Sequence, residues 1–417
     1  MRREVMKNYL LHLVCLLLFG VAGYSQECIC LDFETAWERV LGCAPTLSIA
    51  NLEVDARAAD AIQAGLMPNP VLEIEAENLG VSHPDHDTEP PQTTISLSQL
   101  LELGGKRQAR WAVAACEADV AFWDAQIALQ DKQLQLLAAF ITVSAAQERW
   151  CLAQEKREVA EKIHECVVLQ CQSGKASPIQ ERKAHIGLKG ACIDEREAWG
   201  ALEASKKQLS LMWDNPCPDF DCVVFDFYQY RQPPCLDEIM EGLYCTPDYV
   251  RAQQGVCCAS RVLNLEKSNS IPDVVFTLGY RIYNDAHAHG WVVGAQMPLP
   301  FFNYNQGNIQ RACTQYGQAG YQMDEVVRKL KEVISAAHEH LLAAYDTSVM
   351  IHKGVLADAA EAFDLTQEGY QCGKFDYMEL LEAQHMLFEI QEKYIDVLSD
   401  YHLHRAELAR MSGEFND

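Results

Sequence analysis

Three carboxylates, Glu73, Glu75 and Glu77, are spaced so that they share one face of a β-strand. They alternate with apolar residues over 72–76, and side chains at every second position of a strand point to the same side. A row of carboxylates attracts cations where it lines a water-filled path. An ordinary solvated sheet face has the same alternation, so the pattern alone leaves both interpretations open.

Histidines and aspartates lie between the predicted strands, and imidazole with carboxylate is a ligand set that zinc or copper accepts. Scattered histidines in flexible loops more often bind no metal, so we predict neither a metal site nor a cofactor. The residues concerned are His83, Asp85, His86, Asp285, His287 and His289.

Cysteine is abundant, with 17 residues in the chain. Cys217 and Cys222 lie in a Pro-rich connection and are predicted to form a local disulfide. No Cys-x-x-Cys pair occurs, which argues against structural zinc. Several other cysteines stand singly on predicted helices, where we interpret them as small buried apolar side chains. These are Cys116, Cys151, Cys166, Cys192 and Cys313.

No arrangement of residues predicts catalysis, and we expect that the protein is not an enzyme. Gly104-Gly105-Lys106 lacks the first glycine and the Ser or Thr of a phosphate-binding loop. The formal net charge of −25 argues against nucleic acid or anionic lipid as a partner. It suits a path for cations, although the solubility of long exposed helices would account for it equally well.

The elements that position these residues are two β-hairpins, 71–101 and 274–299, in a chain that is otherwise helical. Proline is absent from 105–173 and from 306–371, so each range is predicted as one long helix. An apolar residue recurs every seven positions in the first of them, as in a coiled-coil seam. The seam consists of Val113, Val120, Ile127, Leu134 and Ile141.

The second hairpin repeats the first about 200 residues later, and landmarks outside the hairpins keep the same offset. Gly174-Lys175 corresponds to Gly373-Lys374, and Ala44-Pro45 to Thr246-Pro247. We therefore predict a duplicated module. The predicted organisation is a signal peptide at 1–25, a first repeat at 26–214, a connection at 215–234 and a second repeat at 235–417.

A secreted chain with short strands and no run of about 20 apolar residues can enter a membrane only as a closed barrel. Two hairpins supply four strands, which are too few to close a barrel. A C3 trimer would supply twelve strands and leave no sheet edge in lipid. On this interpretation the glutamates at 73, 75 and 77 face the lumen.

Several motifs resemble the TolC-type outer membrane efflux proteins, and Leu101-Glu-Leu-Gly-Gly-Lys-Arg107 is most similar to their cobalt-zinc-cadmium branch. The other motifs are Pro68-Asn-Pro70, Glu77-Asn-Leu-Gly80, Met297-Pro-Leu-Pro300 and Gly373-Lys-Phe-Asp-Tyr-Met-Glu-Leu-Leu-Glu382. The resemblance implies an α+β membrane protein: a trimeric 12-stranded β-barrel in the outer membrane, continued by an α-helical barrel of coiled-coil hairpins across the periplasm. It also implies a periplasmic adaptor (membrane fusion protein) and an inner-membrane transporter of RND type as partners.

The resemblance also carries roles onto residues of this chain. Gly174, Lys175, Gly373 and Lys374 would form the adaptor-docking tips. Tyr370, Glu379 and Glu382 would form the periplasmic gate. Asp376 with Glu379 also has the spacing of a capping box, so a purely structural role for Glu379 stays open. The family's closing arginine and its acidic partner are replaced here by Phe375 and Gln180, so its closing network is not predicted.

The function expected from these observations is that of a passive exit duct for heavy-metal cations in a tripartite efflux system. A duct for drugs, other solutes or proteins with the same fold is the first alternative. A secreted coiled-coil adhesion or scaffold protein without a pore is the alternative of another class.

Overall fold

The described part of the chain is a set of long helices attached to a four-stranded sheet, with a second sheet of two short strands. The computed structural model describes residues 29–79, 91–283 and 288–413, so the predicted signal peptide lies outside the described residues. Two short 3₁₀ turns occur at Leu211–Trp213 and Leu243–Cys245. In chain order the elements are β1 (Cys30–Leu31), α1 (Phe33–Cys43), α2 (Pro45–Ala64), β2 (Val71–Glu77), β3 (Gln92–Leu101), α3 (Lys106–Gln172), α4 (Pro178–Ser210), β4 (Cys222–Val223), α5 (Leu236–Gly242), α6 (Pro247–Asn269), β5 (Val274–Tyr283), β6 (Ala288–Gln296), α7 (Gln306–Met350), α8 (Leu356–Gln371) and α9 (Tyr377–Ser412).

Helix boundaries follow local capping chemistry. The Asp32 carboxylate accepts a hydrogen bond from the Thr35 amide at 2.7 Å and caps α1. Pro45 occupies the first turn of α2, where a missing amide proton costs nothing. Ser177 caps α4, and Pro178 follows at its first position.

The long helix α3 has 67 residues, which at about 1.5 Å per residue makes it about 100 Å long. It packs against α2 and α4 on one side and against α6 and α9 on the other, and these two pack in turn against α7 and α8. The helices thus form one layer with two free edges, α2 with α4 and α7 with α8. No helix in the described ranges is both long enough and apolar enough to cross a bilayer.

The second long helix differs from the first because it contains one turn of π-helix, Ile351–Val355, between α7 and α8. This turn places Ile351 in a core with Phe227, Phe388 and Leu398. The extra residue of a π-turn rotates the helix that follows. The predicted uninterrupted helix over 306–371 is therefore correct in extent and wrong in detail.

The connection between the two halves crosses the helices and pairs with the start of the chain. Strands β1 and β4 run parallel, with Cys30 opposite Cys222, and these two cysteines form a disulfide. The predicted disulfide between Cys217 and Cys222 is wrong, since Cys217 is free and exposed. The bonded partner lies 192 residues away in sequence, and only the parallel pairing brings its Cα to 4.7 Å.

The single cysteines are less uniformly buried than predicted. Cys116 is buried, whereas Cys166 and Cys192 are half-buried. Cys151 and Cys313 are exposed, so their prediction as buried apolar side chains is wrong. Both lie on the surfaces of long helices in a single layer, where the sequence pattern does not separate covered from open faces.

One buried ion-pair cluster links three helices. The Arg410 side chain, on α9, is 9% exposed and donates to Asp131 of α3 at 2.6 Å and to Asp248 of α6 at 3.0 Å. Removing both aspartates would leave the buried charge of Arg410 without an ion-pair partner. Arg410 therefore joins the C-terminal helix to both halves of the chain.

Candidate functional site

The four long strands form an antiparallel sheet in the order β2-β3-β5-β6, with one polar and one apolar face. Residues directly opposite each other in antiparallel strands share a face. Glu73 pairs with Ser96 and Glu75 with Thr94, and Thr94 pairs in turn with Arg281. The alternation seen in β2 therefore continues across the sheet.

The apolar face is open to its surroundings in the single chain. Trp291 is 74% exposed and Val293 78%. Burying apolar surface contributes about 25 cal/mol per Å² to stability. We therefore expect apolar groups outside this chain to cover the exposed face. Its rows across the four strands are Leu72, Leu97, Leu278 and Val293, then Ile74, Ile95, Tyr280 and Trp291.

The polar face holds a network around Arg281. Its Nε donates to the Thr94 hydroxyl at 3.0 Å, and its Nη2 lies 3.6 Å from the Glu77 carboxylate. The Gln92 amide donates to the same carboxylate at 2.7 Å. Within the described residues Glu73 and Glu75 make no hydrogen bond or ion pair through their carboxylates. Two carboxylates on this face are therefore free to attract cations.

Most of the histidines and aspartates considered as metal ligands fall outside the part of the chain that the structure describes. His83, Asp85, His86, Asp285 and His287 lie outside the described residues. His289 lies within strand β6, not in the loop where it was predicted, and shares the apolar face, where it pairs with Ile282. No group of three or more potential metal-binding side chains occurs in the described part of the chain.

The Leu-Glu-Leu-Gly-Gly-Lys-Arg stretch is the joint between sheet and helices. Lys106 Nζ lies 2.7 Å from the Asp273 carboxylate. The same carboxylate accepts a hydrogen bond from the Leu103 amide at 3.0 Å. Arg110 donates to Glu102 at 2.5 Å and to the carbonyl of Ala64 at 2.9 Å. These ion pairs and hydrogen bonds connect the end of β3 to the start of β5 and to α2. The sequence did not predict them because Asp273 is distant from Lys106 in the chain.

A second joint lies at the matching place in the other half. Asn305, like Gly105, has a left-handed backbone immediately before its long helix, with φ of 65° and 73°. The Asn305 side-chain amide donates to the carboxylate of Glu266 at 2.6 Å. Both halves therefore start their long helix with the same backbone geometry.

The two predicted tips have the same turn geometry. Gly174 and Gly373 have φ of 76° and 71°. The amides of Lys175 and Lys374 each return to a carbonyl five residues earlier, both at 2.8 Å, which is the hydrogen bond of a Schellman cap. All four tip residues are exposed.

Behind the second tip, Tyr370 is buried in a cluster with Tyr377, their ring centroids 6.2 Å apart. Burial raises the pKa of Tyr370 and raises that of Tyr377 to about 12, so both hydroxyls stay protonated. The Tyr370 hydroxyl is buried and has no hydrogen-bond partner among the described residues. The Phe375 ring fills the space that a side chain at Gly369 would need.

The two acids of the predicted gate have different surroundings. Glu379 accepts from the Asp376 amide at 2.9 Å, while the Asp376 carboxylate caps the same helix. Glu382 is exposed and makes no hydrogen bond or ion pair with described residues. Gln180, in the place of the family's acid, completes the equivalent capping box of α4. Glu379 is therefore part of the N-terminal cap of α9, whereas the Glu382 carboxylate has no partner among the described residues.

Comparison with known proteins gives a family model, outer membrane efflux protein, that matches residues 246–414. The cobalt-zinc-cadmium resistance protein CzcC of Cupriavidus metallidurans is 28% identical over 92% of this chain and 90% of its own length. The nickel-cobalt-cadmium resistance protein NccC of Alcaligenes xylosoxydans xylosoxydans is 26% identical over 74% of this chain and 70% of its own.

Solved structures share the fold. A crystal structure of CusC, which forms a transmembrane channel, superposes with a TM-score of 0.77 at 16% identity, covering 94% of this chain and 95% of that one. The outer membrane protein VceC of Vibrio cholerae gives 0.73 at 16% identity, over 91% and 96%. The predicted resemblance and the predicted fold class are confirmed.

Proposed function

We propose that this chain, which belongs to the TolC-type outer membrane efflux proteins, is one subunit of a passive exit duct for heavy-metal cations. The observation that carries the proposal is the two-faced sheet, whose apolar side is exposed and whose polar side holds free carboxylates. Bilayer lipid would cover the first face, and the second would line a water-filled path. Two relatives matched by sequence are named for resistance to cobalt, zinc, cadmium or nickel.

We infer a homotrimer, because the single chain has unpartnered edges on both sides. Strands β2 and β6 end the sheet, and three copies would close twelve strands. The free edge of α4 carries Ile179, Ile186 and Ile193 at seven-residue spacing, all exposed. The opposite edge exposes Tyr321 of α7 and Leu365 of α8. Two different apolar edges on one chain favour a head-to-tail ring.

The cation preference follows from the charge on the proposed lumen. Glu73, Glu75 and Glu77 lie on one face of β2, and Arg281 offsets only Glu77. In a trimer this gives nine carboxylates and three guanidinium groups around one axis. A ring of net negative charge raises the local cation concentration.

The periplasmic end is proposed to contain the gate and the docking tips. Glu382 is exposed in the second turn of α9, where three copies would form an acidic ring, and Tyr370 is buried against Tyr377 at the start of the same helix. The two Schellman turns with Lys175 and Lys374 are proposed to contact a periplasmic adaptor, which links the duct to an inner-membrane transporter of RND type. The support is their exposure and their identical geometry in both halves, 26–214 and 235–417, which we infer to be repeats joined by 215–234.

The test is cellular accumulation of zinc, cobalt, cadmium and copper, measured together with dyes and antibiotics, in cells with and without the gene. The cation proposal expects a rise in metals alone on deletion and recovery on complementation with the wild-type chain. A rise in dyes or antibiotics alone would instead indicate a solute duct of the same fold. Recovery of the chain as a soluble monomer, absent from outer membranes, would contradict the channel itself.

A further inference from the structure

A cluster of three cysteines lies between the two halves of the chain and has no part in the proposed duct. Cys116 is on α3, and Cys257 and Cys258 are neighbours on α6. The Cys116 thiol is buried and lies 3.8 Å from the carbonyl oxygen of Gln254, one turn before Cys258 on α6. Because Gln254 precedes Cys258 by one helical turn, the Cys116 thiol faces the turn of α6 that carries Cys257 and Cys258.

The two thiols differ in access. Cys258 is half-buried and lines an open groove of about 460 Å³ between α2, α3 and α6, whereas Cys116 is 5% exposed. A reagent in solvent can therefore reach Cys258 first. Cys116, which is buried, can then react only with the modified Cys258. The chain already holds one disulfide, between Cys30 and Cys222, which places it in a compartment where disulfides persist.

We propose that Cys116 and Cys258 are a redox-active dithiol that oxidises to a disulfide joining the first half of the chain to the second. The oxidant is a disulfide of the class carried by oxidised glutathione or by a thiol-disulfide oxidoreductase. Cys258 thiolate attacks the oxidant's disulfide, forms a mixed disulfide and releases one thiolate. Cys116 thiolate then attacks the Cys258 sulfur, forms the intrachain bond and releases the second. Two electrons reduce the oxidant to two thiols, which take up the two cysteine protons.

The position of the link gives it a structural consequence. Cys116 lies ten residues after the start of α3, or about 15 Å along the helix, and Cys258 lies a similar distance before the end of α6. The bond would fasten the two helices that directly support β3 and β5. Burial raises the pKa of both thiols, so oxidation is slow and an oxidant must be supplied.

The experiment uses the full chain purified from outer membranes, incubated with oxidised glutathione, alkylated and digested without reduction for mass spectrometry. We expect peptides linked through Cys116 and Cys258 to replace most of the alkylated Cys116 signal. The Cys30–Cys222 link is the internal positive control. Cys257→Ser should keep the new link, Cys258→Ser should abolish it, and Cys116→Ser should leave Cys258 as the glutathione mixed disulfide.

Alkylation of both Cys116 and Cys258 in the oxidised wild-type chain would overturn the proposal. A link between Cys116 and Cys257 that survives in Cys258→Ser would overturn it as well. A zinc or copper ion retained by the unoxidised chain and lost in Cys116→Ser would identify a thiolate metal site in place of the dithiol. Each variant is compared only if it gives the same oligomer as the wild type, which separates loss of the link from failure to fold.

Discussion

Gly104 and Gly105 are adjacent, share a left-handed backbone and face different surroundings. Their φ values are 67° and 73°, a region that costs an L-residue about 1–2 kcal/mol. A Cβ at Gly104 would lie 2.7 Å from the Ile271 side chain, whereas one at Gly105 meets nothing within 4 Å. The joint between sheet and helices therefore requires glycine at 104 for space as well as for backbone freedom.

Gly104→Ala is expected to destabilise the chain more than Gly105→Ala. Both substitutions carry the left-handed strain, and only the first adds a clash, worth roughly 1–3 kcal/mol in overpacked sites. Thermal unfolding of the two purified variants in the same detergent measures the difference. Equal losses would show that the contact with Ile271 does not restrict residue 104.

Glu73 and Glu75 are expected to determine the cation preference of the proposed pore. The double variant Glu73→Gln with Glu75→Gln removes six charges from a trimer and should reduce the ratio of cation to anion permeability in planar bilayers. Reversal potentials in a salt gradient measure that ratio.

The matched control for this pair is Asp237→Asn with Glu238→Gln. These residues are exposed in the first turn of α5, away from the sheet, and their loss removes the same number of charges. A permeability ratio that changes equally in both double variants would show that the effect comes from total charge and not from the polar face.

Residue-level prediction succeeded where the chemistry was local. The capping box of Asp376 with Glu379 and the alternation of β2 depend on neighbours within a few positions. It failed where a partner lies far away in sequence. Cys222 is bonded to Cys30, and Lys106 pairs with Asp273. Partners this far apart leave no local pattern that can be recognised in a single sequence.

Among the elements, the start of α9 contains two acids with separable roles. The carboxylate of Glu379 belongs to the helix cap, and glutamine fills the same place in the capping box of α4. Glu379→Gln should therefore keep the cap and change little. Glu382→Gln removes an exposed carboxylate and should weaken block of the channel by divalent cations added on the periplasmic side.

Single-channel conductance of the two variants, titrated with zinc or magnesium, distinguishes these roles. The expected result is a rise in the blocking concentration for Glu382→Gln and almost none for Glu379→Gln. Equal shifts would assign both acids to the constriction. No shift in either variant would remove the acidic ring from the proposal.

The disulfide between β1 and β4 is expected to stabilise the region where the connection crosses the helices. It closes a loop of about 190 residues, and loss of a native disulfide costs roughly 2–5 kcal/mol. Cys30→Ser should lower the unfolding midpoint, whereas Cys217→Ser should leave it unchanged because Cys217 is free. Equal midpoints for wild type and Cys30→Ser would show that the bond adds no stability.

Element prediction failed at the π-turn and at the connection. Ile351–Val355 contains no proline, and Ile351 shares a core cluster with Phe227 of the connection. The short strands β1 and β4 have two residues each, too few for a periodic pattern. Both features depend on tertiary packing and not on local preference.

For the whole molecule, the proposed duplication accounts for features that recur half a chain apart. The left-handed residue before each long helix and the Schellman turn at each tip recur about 200 positions apart. The halves are not identical at their edges: the exposed isoleucines of α4 correspond to Met378, His385 and Glu392 of α9. An apolar stripe that occurs in only one half fits an interface between unlike surfaces.

Closure of the trimer can be tested at that stripe. Ile186 is 69% exposed in the single chain, so Ile186→Glu should leave the fold of one chain intact. In the proposed ring the new carboxylate would be buried without a partner, which is strongly unfavourable. Light scattering after size-exclusion chromatography in detergent should then show a monomer in place of a trimer.

The control for this variant is Val224→Glu, in the connection. Val224 is also exposed and lies on neither free edge, so the same added charge should leave the trimer intact. A trimer that persists in Ile186→Glu would place the subunit interface elsewhere. The stripe on α4 would then remain open in the assembled duct and be available to the adaptor, which would move the docking surface from the tips to the side of the helical layer.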